Sequence, residues 1–82
     1  MKRDLAQMLR AASLTQAAVA DSLGRSLPRV SRVVNGVDVP DVGELRALAR
    51  LLKCETKDIA QAWSRSAMRT AERRAAELAK NA

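Results

Sequence analysis

The sequence predicts an all-α chain of five helices, the last of them extended. Three observations predict it. Sixteen of the 82 residues are alanine, the strongest helix former. There is no Phe or Tyr and a single Trp, so residues that favour strands are scarce. Apolar residues recur at spacings of three and four, the period of one helix face.

Leu5, Met8, Leu9 and Ala12 form the apolar stripe of a first helix over about residues 3–12. Ser13-Leu14-Thr15 interrupts it, and Thr15 caps a second helix by accepting a hydrogen bond from an otherwise orphaned N–H. Val19, Ala20 and Leu23 are the inner face of that helix. Gly24 ends it, because glycine tolerates the left-handed conformation common after a C-terminus. So short a helix persists only if packed. After a tight connection at Arg25-Ser26, Ser26 caps a third helix, Leu27 to about Val34, with Leu27, Val30, Val33 and Val34 on its buried side. Pro28 falls in the first turn, where its missing N–H does no harm. Asn35-Gly36 ends the helix as a turn pair.

Asp41 and Glu44 form a capping box for a fourth helix that buries Leu45, Leu48, Ala49 and Leu52. Thr56 caps a fifth helix, and Asp58 in its first turn suits the dipole. No Pro or Gly interrupts residues 57–80, which as one helix span ~36 Å. Ile59, Trp63, Ala67, Ala71, Ala75 and Leu78 make a narrow apolar seam along it. The expected organisation is a domain over residues 1–62 and a helical extension over 63–82 that serves as a dimerisation element.

A net charge of +6 favours a polyanionic partner. Nine bases and six acids lie in residues 1–56, and six bases and three acids in 57–82, so the excess divides evenly. One cysteine cannot form an internal disulfide, which suits a reducing compartment. No stretch approaches the ~20 apolar residues of a membrane span, and the N-terminus has no apolar signal core. The expected location is the cytoplasm, without membrane contact. With no histidine, no metal-ligand cluster, no glycine-rich phosphate loop and no serine beside an identifiable base, neither an enzyme nor a cofactor is expected.

Leu14-Thr15-Gln16, Val19-Ala20, Leu23-Gly24, Ser26, Val30-Ser31, Asn35-Gly36, Pro40, Leu45, Leu48-Ala49 and Leu52 together resemble the phage repressor/Cro-type (Xre-like) helix-turn-helix family. The likeness covers about residues 3–62 and implies a five-helix repressor-like fold. Two departures are informative. Many members carry a buried Arg–Glu pair at the positions of Leu9 and Val34, and replacing both partners by apolar groups strands no charge. Ser13 stands where the family usually has glycine.

The resemblance implies that the third helix enters the major groove of double-stranded DNA while the second crosses the backbone. Pro28, Arg29, Ser31 and Arg32 are then the expected base-contacting residues. Arginine's planar fork matches guanine O6 and N7; the alternative for Arg29 and Arg32 is ordinary solvated surface. Leu27 and Pro28, at the leading tip, can touch a thymine methyl if left unburied. Gln16 matches a phosphate-binding family position at a helix N-terminus, which supplies N–H groups and partial positive charge. Arg25, Ser26 and Asn35 are further phosphate candidates. Cys54 falls on an apolar position and reads as a small core residue.

The expected function is sequence-specific transcriptional regulation, most simply repression, by a homodimer on a palindromic operator. Ile59, Trp63, Ala67, Met68, Ala71 and Leu78 are the expected dimerisation residues. Small members of the family often belong to phages, plasmids or other mobile elements. The alternative is an antitoxin-like protein whose C-terminal helix binds a partner protein; non-specific DNA coating is a third reading.

Overall fold

The computed structural model describes residues 2–81. Five helices account for the fold: α1 (Leu5–Ala11), α2 (Gln16–Leu23), α3 (Leu27–Val34), α4 (Val42–Leu52) and α5 (Thr56–Asn81), with no strand among the described residues. Side-chain caps start four of them. Thr15 accepts from the Ala18 N–H, Ser26 from Arg29 and Asp41 from Glu44. Asp4 accepts from Gln7, whose side chain returns the bond in a full capping box. This Asp4-x-x-Gln7 signature delays the first helix to Leu5. The fifth helix starts one residue earlier than expected, with Thr56 inside it and the Asp58 carboxylate accepting from the Glu55 N–H at 3.0 Å.

The turns explain why the helices stop where they do. Gly24 closes α2 at φ 64° and Lys53 closes α4 at φ 55°. Ser13 lies at φ 58°, so this serine adopts the left-handed conformation that glycine would supply without strain. Gly36 has a double reason to be glycine. Its φ is 75°, and a Cβ there would overlap the backbone of Ser66 and Ala67, so the turn after α3 lies flush on α5.

One core joins all five helices: Leu5 and Leu9, Val19 and Ala20, Val30, Val33 and Val34, Leu48 and Ala49, Ile59 and Ala62. Leu9 and Val34 are both buried. Leu45, Leu52, Cys54 and Trp63 pack at its edge. Burial pushes the Cys54 thiol up from its ordinary value. Leu27 departs from expectation. It is 49% exposed at the tip of α3, because the buried stripe begins one turn later at Val30.

The N-terminal segment is tied to α5. The Leu5 N–H donates to Ser66 Oγ at 3.0 Å, Arg65 Nε donates to the Arg3 carbonyl at 2.7 Å, and Arg69 pairs with Asp4 at 2.9 Å. Thr70 Oγ1 donates to the Asn35 carbonyl. Helix α5 runs unbroken past residue 62 and stays packed as far as Thr70, whereas every residue from 71 to 81 is exposed. Ile59 is fully buried inside the monomer, which removes it from the expected dimer contacts. No helix among the described residues is long and apolar enough to cross a membrane.

Candidate nucleic-acid interface

Helices α2 and α3 are joined by three residues, Gly24 to Ser26. Burial of Val30, Val33 and Val34 sets the rotation of α3 about its axis. The opposite side carries Leu27, Pro28 and Arg32, all exposed, with Ser31 half-buried beside them. Pro28 lies in the first turn and Ser26 Oγ accepts from the Arg29 N–H at 3.2 Å, so the leading end is firmly capped. Gln16 is the first residue of α2, half-buried beside its cap Thr15.

Arg29 does not join that surface. Its Nε and Nη2 donate to the two oxygens of Glu44 at 3.1 and 2.8 Å, its Nη1 to Asp38 Oδ2 at 3.2 Å, and its Nη2 also to the Val39 carbonyl at 3.1 Å. The expectation that Arg29 reads a base edge therefore gives way. A buried carboxylate on α4 claims the guanidinium in a bidentate pair, stronger than a neutral hydrogen bond. The Glu44 side chain is only 2% exposed, and besides Arg29 its Oε1 accepts from the Asp41 N–H at 2.9 Å. The Arg29 guanidinium holds the Glu44 carboxyl below the usual carboxylate range, and Glu44 in turn raises Arg29.

Arg25 and Arg32 enter the same network. Arg25 pairs with Asp41 at 3.2 Å and approaches Glu44 at 3.6 Å, which draws it from the free phosphate-binding role expected of it. Arg32 Nε donates to Asp38 Oδ2 at 2.6 Å, and this bond, ahead of the one from Arg29, holds the Asp38 carboxyl low. The Glu44 N–H holds Asp41 low. Three arginines thus face three carboxylates, and the local charge cancels. Asn35 folds back onto α3, its amide donating to the Ser31 carbonyl at 2.9 Å. Trp63 Nε1 donates to the Asp38 carbonyl at 2.9 Å, so the indole braces the α3–α4 loop from within the protomer.

A short helix, a three-residue turn and a second helix with one buried and one exposed face are the parts of a DNA-reading unit. A family model for the helix-turn-helix domain matches residues 3–63, about three-quarters of the 82-residue chain. The chain belongs to the helix-turn-helix domain family. No curated protein and no solved structure matches it. Helix-turn-helix domains bind DNA, with the second helix of the pair in the major groove. In this one the second helix is α3.

Sequence reasoning missed Asp4, Asp38 and the second role of Glu44 in this helix-turn-helix domain. Asp4-x-x-Gln7 was legible as a capping box. Glu44 was legible as a cap, but nothing along the chain signals that a residue fifteen positions from Arg29 takes up its guanidinium.

Proposed function

We propose that the protein is a sequence-specific transcriptional regulator, acting in the cytoplasm as a repressor of the phage repressor/Cro type. The observation that carries this reading is the outward face of α3. Leu27, Pro28 and Arg32 stand exposed on a helix whose valines are buried and whose neighbouring Arg29 is tied down. Arg32 supplies a hydrogen-bonding fork for a base edge, Ser31 a hydroxyl, and Leu27 and Pro28 an apolar surface for a thymine methyl. Gln16 binds a backbone phosphate at the α2 terminus, helped by the adjacent N–H groups. Ser26 and Asn35 stand at the two ends of α3, with their side chains already bonded to that helix. Repression follows from occupying an operator that polymerase needs.

One such unit contacts few base pairs, and a two-fold dimer doubles the site. Pairing through the distal part of α5 is supported by Met68 at 62% and Leu78 at 73% exposure, with Ala71 and Ala75 allowing close approach. Ala67 and Trp63 lie at the edge of this surface, where they already pack against the protomer's own fold. The same exposed segment also supports a second reading, a helix that binds a partner protein.

Selection of bound fragments from random duplex DNA tests the function. The expected result is two inverted half-sites about one helical turn apart. Binding indifferent to sequence would sink it. Sedimentation of the free protein separates the two readings of α5, a dimer favouring pairing and a monomer favouring a partner.

A further inference from the structure

Asp38 carries no assigned role, yet four hydrogen bonds converge on it. Its N–H donates to the Arg32 carbonyl at 3.1 Å, and its own carbonyl accepts from Trp63 at 2.9 Å. Its Oδ2 accepts from Arg29 Nη1 at 3.2 Å and from Arg32 Nε at 2.6 Å. The backbone is thus locked to α3 and α5 while the carboxylate is steered by the immobilised Arg29. Asp38 is a fixed point in the fold, and Arg32 is fastened to it by one N–H.

The choice of that N–H matters. A guanidinium has five N–H donors in a rigid plane. The bond to Asp38 uses Nε and does not use the outer edge, the Nη1 and Nη2 pair. That edge matches guanine O6 and N7 in the major groove. The Arg32 side chain is 51% exposed despite the bond, which leaves it within reach of a partner. A free arginine loses much side-chain rotamer freedom on binding; one already held in place loses less, and presents one orientation rather than many.

We infer that Asp38 is a specificity-determining residue that presents Arg32 to a guanine, without touching DNA itself. The inference rests on the proposed sequence-specific function. It goes further in naming the base and the residue that enforces it. A carboxylate beside the phosphate backbone would ordinarily repel DNA. Here Arg29 and Arg32 both bond its oxygen, so the reading edge is presented at little electrostatic cost.

Fragment selection with the wild type, Asp38→Asn, Arg32→Ala and the double variant tests it. Removing Arg32 should identify one guanine position in each half-site. At that position alone, Asp38→Asn should reduce the preference for guanine by roughly five- to tenfold, and should add nothing in the Arg32→Ala background. Unchanged guanine preference in Asp38→Asn, or an equal shift at all sequences, overturns the inference while leaving the function standing. A wild type with no base preference overturns both. A second measurement needs no variant. In the free protein, the Arg32 Nε–H order parameter from NMR relaxation should approach that of Arg29 and exceed that of exposed Arg46. An Arg32 side chain as mobile as Arg46 overturns the inference.

Discussion

Glu44 shows how much one side chain can do when it is buried with its partners. It closes the α4 capping box, fixes Arg29 and sits near Arg25, all from a position 2% exposed. Losing the carboxylate takes the bidentate partner from Arg29 and the acceptor from the Asp41 N–H, so Glu44→Ala should destabilise the fold by about 1–3 kcal/mol in denaturant titration. The same pair sets a pH dependence. The folded-state value of Glu44 lies below its ordinary 4.5. Its contribution is therefore complete above that ordinary value and is lost as pH falls through the folded one. Melting curves should show the wild type losing stability below about pH 4.5 more steeply than Glu44→Gln. Ser13 offers the opposite change. Its φ of 58° strains an L-residue, so Ser13→Gly should raise stability by up to about 1 kcal/mol, less whatever entropy glycine adds to the unfolded chain. A lower melting temperature for Ser13→Gly would contradict that account.

Among the elements, α5 has two parts with different work. As far as Thr70 it belongs to the fold, through Ile59, Ala62, Trp63, Ser66 and the close contact with Gly36. Beyond Thr70 every described residue is exposed. Ending the chain after Thr70 should leave far-UV circular dichroism of the remaining helices and the monomer's denaturant midpoint nearly unchanged, while abolishing dimers in sedimentation. Ending it before Ser66 should unfold the chain, because Leu5 and Asp4 lose their partners. Dimers persisting without residues 71–82 would move the pairing surface elsewhere. Helix α3 shows the complementary arrangement, with valines buried on one side and Leu27, Pro28 and Arg32 left open on the other.

At the scale of the molecule, the first helix and the last are joined. α1 packs on α5, and Trp63 on α5 braces the loop between α3 and α4. No helix has a core of its own, so unfolding should be a single cooperative step. Trp63 fluorescence reports the loop, and far-UV circular dichroism reports all five helices. The two transitions should coincide in urea. A fluorescence transition that precedes the loss of helix would mean the loop opens independently, and Asp38 would not then be fixed.

The five helices were legible because their signals are local. A cap, a periodic apolar stripe and a glycine stop are each complete within a few residues, as at Thr15, Val19-Ala20 and Gly24. The capping box at Asp41 and the exposed Arg32 were legible on the same terms. The roles of Arg29, Leu27 and Ile59 were not. An arginine's spacing on a helix gives the side it faces, but its partner is chosen by what lies opposite after packing, here Glu44 and Asp38. Local sequence alone determined that this chain forms helices and that one of them presents an open face. Only the tertiary structure decided which arginine is spent inside the protein and which stays more exposed, because ion pairing depends on distances that helix packing sets.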